Sequence, residues 1–296
     1  MPGRHRDPVQ LDRIDLADIH EPERLADTLH GQLALTQGPV PVGEIALALG
    51  ISEVREAPLE GVEGMLLTDE RRSLGAILAN NRGGRRRLRF TIAHELGHFL
   101  MEHHKLSSPA GFTCQAADLR ATREGRRHLR QEAEANRFAI GLLAPRSLVM
   151  PLLSPDPDLD DARRLRTALD ISREAAVRHL VETRDDCLAA VWSKDGRIRY
   201  AIRGQGFPYV TSRSGQSLPQ ATAAHCVHLN GKTGITGWCE TPSIAWTNES
   251  DIELYEQSWR SPSGHAVTLL WAEMPDHEDD AEDDSSQRER DLPGFR

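Results

Sequence analysis

Residues 89–104, RFTIAHELGHFLMEHH, hold four histidines in sixteen positions, and imidazole serves both as metal ligand and as base near neutral pH. On a helix each residue turns about 100°. His98 then lies about 40° from His94 and one turn along, so the two rings leave the same face. Leu88, Ile92, Leu96, Phe99 and Leu100 fall between about 120° and 240°, which predicts a helix packed on a core with His94 and His98 turned toward a cleft. His103 and His104 fall about 180° and about 80° away, beyond the pair, and are not expected as ligands. Glu95 stands between the paired histidines. HELGH is therefore H-E-x-x-H, a spacing that offers Zn²⁺ two nitrogens one turn apart, with a carboxylate beside them to take a proton from the attacking water.

A catalytic zinc site needs a third protein ligand and an open fourth position. The stretch GRRHLRQEAEANRFAIGLLAP, from residue 125, offers Glu132 and Glu134, which a helix would hold about 200° apart. Leu129, Ala133, Ala139, Ile140 and Leu143 cluster within about 100° of Glu132, whereas Arg126, Arg127, Arg130, Arg137 and Gly141 share the side of Glu134. Glu132 is thus expected on the buried face, where a cation would compensate its charge, and Glu134 in solvent. Asn136, one turn on, is placed to hydrogen-bond a ligand from behind.

The elements that must position these groups follow from the rest of the chain. Residues 22–36 and 43–50 read as short helices, and 65–68 with 74–79 as a β-hairpin. A helix is expected from about residue 85 through the histidine stretch, and a second over 126–143, stopped by Pro145. SPDPDLD reads as a linker to a helical pair, 160–169 and 172–182, with Ser172 as N-cap. From Cys187 the pattern turns to strands: CLAAVW, RIRYAIR, DIELYEQSW and GHAVTLLWAE. The expected organisation is α+β: an N-terminal extension over 1–21, a peptidase-like unit over 22–153, a helical segment over 154–185, a β-rich unit over 186–274 and an acidic tail over 275–296.

Composition sets further bounds. The net charge is -9, and residues 275–296 carry nine acids against three arginines, so most of the imbalance belongs to a tail expected to be disordered. Apolar runs are too short for a membrane span. The first twenty residues lack the apolar core of a signal peptide, and four cysteines without C-x-x-C spacing suit a reducing compartment, so a cytoplasmic protein is expected. His225, Cys226, His228 and Cys239 match no trusted zinc spacing. Arg82, Arg85, Arg86, Arg87 and Arg89 oppose the helix dipole and could dock an acidic partner, although a solvated face is the commoner explanation.

RLRFTIAHELGHFLMEHH followed by EAEANRFAIGLLAP, with PVPVGEIALALGI and a strand pair upstream, resembles the ImmA/IrrE family of metallo-endopeptidases over about residues 22–150. The resemblance implies a zincin-like peptidase domain with His94, His98 and Glu132 as zinc ligands and Glu95 as catalytic base. It also implies an HTH-like helical segment, a GAF-like C-terminal domain and, as substrate, a cognate helix-turn-helix (XRE-type) repressor cut during a stress or mobile-element response. Leu143–Pro145 reads Leu-Ala-Pro where the family pattern ends in Leu-Met-Pro, which leaves the ligands untouched. All three tyrosines lie in the C-terminal half, so His104, His128 or an arginine would have to assist the developing oxyanion. The strand over 74–79 is expected as an open edge that could pair with an extended substrate. The competing readings are a DNA-binding regulator, through the helical pair, and a ligand-sensing zinc scaffold without peptidase activity; direct nucleic-acid binding is disfavoured because the region is not basic overall.

Overall fold

The computed structural model describes residues 10–33, 35–115 and 127–274. The 275–296 tail, residues 1–9 of the N-terminal extension and residues 116–126 lie outside the described residues. Two helices open the chain, α1 (Pro22–Leu33) and α2 (Val42–Ala48), both somewhat shorter than the apolar pattern predicts. Then come β1 (Ile51–Ala57), the hairpin β2 (Gly64–Thr68) and β3 (Gly75–Asn80), helix α3 (Arg85–Leu100), β4 (Gly111–Cys114) and helix α4 (Arg127–Leu143).

The first sheet has the order β1-β3-β2-β4. β1 pairs parallel with β3, and β2 pairs antiparallel with both β3 and β4. This corrects the expected position of the strand over 74–79. β3 is enclosed between two neighbours, because the unanticipated strand ISEVREA covers one side of it. That sequence is mostly polar and lies at the sheet border with a register shift between Ile51 and Glu53, so period-two patterning could not announce it. Among the described residues the free sheet edge on the other side is β4. Gly111, at φ 135°, brings β4 so close to β2 that a side chain there would run into the Leu66 carbonyl.

α3 and α4 cross at Gly97, where a Cβ would lie 2.9 Å from Phe138 Cδ1 and 3.4 Å from Ala135 Cα. Leu88, Ile92, Leu96, Phe99 and Leu100 are all buried, as the face arithmetic requires. After α4 a short helix, α5 (Arg146–Val149), leads to the helical pair α6 (Leu159–Ala168) and α7 (Arg173–Thr183). Asp158 caps α6, and Ser172 caps α7 by accepting from Ala175 N–H at 3.0 Å.

The C-terminal half is an antiparallel sheet of β5 (Leu188–Lys194), β6 (Arg197–Arg203), β7 (Gly234–Ile235), β8 (Cys239–Glu240), β9 (Glu253–Arg260) and β10 (His265–Glu273), with one helix, α8 (Ala223–Asn230). Its order is β6-β5-β10-β9-β7, and β8 also pairs with β9. The mixed α+β class follows. A single cluster of buried apolar side chains runs from Leu16 through α3, α4, α6 and α7 to Leu269. Among the described residues no helix is long and apolar enough to cross a membrane.

The arginines at the start of α3 have partners within the chain. Asp170, in the α6–α7 turn at φ 53°, is buried and faces Arg85 at 2.9 Å, Arg86 at 3.2 Å and Arg89 at 3.6 Å. Arg87 meets Glu63 and Arg82 meets Glu60, each at 3.2 Å. Much of this positive charge therefore fastens the helical pair and the β1–β2 connection to the N-terminal end of α3.

Candidate metal centre

α3 and α4 bring three donor atoms to one point. His94 Nε2 and His98 Nε2 lie 3.1 Å apart. Glu132 Oε2 is 3.2 Å from His94 Nε2, and its Oε1 is 3.4 Å from His98 Nε2. All three residues are buried. A tetrahedral ion with bonds of about 2.0–2.1 Å requires donors about 3.3–3.4 Å apart, and these separations are near that edge length. Glu132 Oε2 makes no hydrogen bond, a costly condition for a buried carboxylate unless a cation sits against it.

Hydrogen bonds behind the ring pair fix which nitrogens are bare. His94 Nδ1 lies 3.0 Å from Asn136 Oδ1, an acceptor, so Nδ1 carries the proton and Nε2 keeps its lone pair. His104 Nε2 lies 2.9 Å from the Glu134 carboxylate and donates to it. A neutral His104 then accepts at Nδ1, where His98 Nδ1 stands 2.9 Å away as donor. His98 Nε2 is thereby bare as well. Burial keeps both rings neutral: it lowers His98 to about 4 and His104 to about 2, where the neighbouring His98 adds to the effect. The donor set, one carboxylate and two imidazole nitrogens converging on one point, suits Zn²⁺.

Two sequence expectations are corrected. Glu134 does not face solvent: its carboxylate receives His104, His103 at 2.8 Å and Arg130 at 3.0 Å, which together outweigh burial and lower it to about 2. α4 is buried on nearly every side, so a single apolar face underestimates what it covers. His104 stands behind the site and braces His98. Extrapolating the helix misplaced it, because α3 ends at Leu100 and the following turn folds His104 back. Arg72 holds that turn by donating to the His104 carbonyl, with its guanidinium 5.4 Å from the Phe112 ring centre. Phe112 in turn stacks on His98 at 4.4 Å.

Glu95 is wholly buried. A methyl group at Gly64 would run into Glu95 Oε1 and lie 2.6 Å from Thr91 Cγ2, so the carboxylate rests against the backbone of β2. His128, the candidate left for oxyanion assistance once His104 is engaged, has Nδ1 3.6 Å from Glu132 Oε1 and a side chain 56% exposed. Cys114 and Gly64, neither singled out by sequence reasoning, both border the site; alternation in the short strand GFTC places Phe112 and Cys114 on one face. The residues His225, Cys226, His228 and Cys239 form no metal-binding group among the described residues; Cys239 Sγ instead donates to the Glu256 carbonyl at 3.4 Å.

A buried H-E-x-x-H pair joined by a glutamate from the next helix forms a group that could hold a metal ion. The model of the IrrE N-terminal-like domain, peptidase family M78, matches residues 49–181. That stretch belongs to the ImmA/IrrE family of peptidases. No curated protein matches the chain. Among solved structures, one described as a Mycobacterium tuberculosis transcriptional regulator is similar at a TM-score of 0.55 and 15% identity, over 88% of this chain and 80% of that one. At that identity the likeness concerns the fold.

Proposed function

We propose that this chain is a zinc-dependent endopeptidase, with His94, His98 and Glu132 as ligands and Glu95 as general base. The observation that carries the reading is the convergence of His94 Nε2, His98 Nε2 and the orphaned oxygen of Glu132. An ion held there supplies a Lewis acid for a peptide carbonyl and lowers the pKa of a water toward about 7. Glu95, backed by Gly64, accepts the proton of the attacking water and returns it to the leaving amine. Asn136 and the His104–Glu134 pair hold the imidazoles in the ligating tautomer. His128, at the open side of Glu132, donates to the oxygen on which charge develops. An extended substrate strand adds to β4, whose outer edge lacks a strand partner among the described residues.

For substrate we propose an XRE-type helix-turn-helix repressor, cut in the cytoplasm under stress, with the β-rich half, GAF-like in its role, sensing the trigger. Direct DNA binding by the α6–α7 pair is disfavoured. Ala176, Val177, His179, Leu180 and Val181 of α7 are buried, and the turn between the helices is committed to three arginines of α3. The test measures zinc in purified wild type and Glu95→Gln, together with cleavage of a repressor encoded beside this chain. One zinc in each with cutting only by wild type supports the peptidase; absence of zinc after metal is supplied overturns it.

A further inference from the structure

Cys114 closes the first sheet at the end of β4, and its position is set by backbone pairing. It stands opposite Gly64 in the β2–β4 register, and its carbonyl accepts from Glu63 N–H at 2.9 Å. Because side chains alternate along a strand, the thiol shares a face with Phe112, which lies flat on the ring of His98. Gly64, directly across the ladder, is the residue against which Glu95 packs. The consequence is a convergence. Sγ of Cys114 and the donor atoms of His94, His98 and Glu132 all lie within 4.8 Å of one another, and all four residues are buried.

We infer that Cys114 is the fourth protein ligand of the resting metal centre, so that the peptidase is held closed until β4 shifts. This inference rests on the metal-binding reading above and adds to it. Two observations point to the same place. The orphaned, buried oxygen of Glu132 marks where a cation belongs, and the thiol lies within reach of that position on a strand with one strand neighbour among the described residues. A thiolate at about 2.3 Å is a normal zinc bond; on ligation the thiol proton leaves to solvent, and the sulfur–metal bond takes the place a water would occupy. Four protein donors describe a closed zinc site, whereas three and an open position describe a catalytic one. Cys114 is the member that can leave, because the other three sit on two packed helices, with both imidazoles braced from behind, while Cys114 belongs to a four-residue edge strand.

The experiment uses the full chain stripped of metal and titrated with Co²⁺, followed by absorption spectroscopy. Wild type is expected to bind one equivalent and to develop the intense near-ultraviolet band of thiolate-to-cobalt charge transfer. Cys114→Ser should still bind one equivalent and lose that band, and its cleavage rate should exceed that of wild type. Since a buried substitution can unsettle the fold, X-ray absorption of zinc-loaded wild type provides a second measurement, with one sulfur scatterer at about 2.3 Å expected. One cobalt without the band, the same band in both proteins, or a zinc shell of nitrogen and oxygen alone would overturn the inference while leaving the metal site intact. Failure of wild type to bind cobalt at all would instead overturn the metal reading on which it rests.

Discussion

At the scale of single residues, Glu132 and Glu134 are two positions apart on one helix and are assigned opposite duties. Glu132→Ala should abolish stoichiometric metal binding and peptidase activity together. Glu134→Ala should leave the three donors in place and weaken metal affinity about 10- to 100-fold, as loss of a ligand's supporting partner commonly does. Competition with a chelator of known affinity measures both, and equal losses would show that Glu134 is more than a brace. His94, Glu95, His98, Glu132 and Asn136 are legible in the sequence because each sits on a regular helix, where periodicity converts spacing into direction. His104 and Cys114 are not legible in the same way. Their positions depend on how the chain leaves α3 and on which strand lies at the sheet border, and neither follows from local pattern.

At the scale of elements, β2 and the catalytic helix touch where Gly64 leaves room for the Glu95 carboxylate. Gly64→Ala should displace that carboxylate and lower turnover about a hundredfold, the order expected for a small misplacement of a catalytic group. Metal content should stay near the wild-type value, since the nearest atoms to the new methyl belong to Glu95 and Thr91; parallel assays of turnover and bound metal would reveal any other outcome. The α6–α7 turn offers a second case. Asp170→Asn retains a residue tolerant of positive φ but removes the negative charge facing Arg85, Arg86 and Arg89. It should cost about 2 kcal/mol, read as a lower urea midpoint at constant slope. The arginines are conspicuous in sequence, but their common partner lies some eighty positions on, a pairing that only the tertiary fold creates. The helical pair and most of the C-terminal strands are legible because caps, turns and alternation agree there, whereas β1 is masked by its polar composition.

For the molecule as a whole, the continuous core ties stability to buried groups far from the metal. His179 of α7 is buried beside the C-terminal sheet, and burial, helped by the charge of Arg178, lowers it to about 4 from about 6.5. The unfolded chain therefore takes up a proton at a higher pH than the folded one. The stability this neutral histidine preserves is complete above about 6.5 and is lost as pH falls toward about 4, by an amount on the order of 3 kcal/mol. His179→Gln should flatten the acid limb of a stability–pH curve relative to wild type over that interval; parallel limbs would show that the group does not control it. His98 and His104 shift in the same direction, so the difference between the two proteins is the informative quantity.

The chain of contacts from His98 through His104 to Glu134 reaches Arg130, whose side chain is 64% exposed. The tautomer that would let His98 serve as the proposed ligand is thus maintained by a series that reaches the protein's outer surface. Surface positions drift freely where ligand positions cannot, so a substitution at Arg130 can retune how much free metal loads the centre without altering any group that touches it. A lineage facing scarcer or more abundant metal has an adjustable threshold at a position where change is cheap.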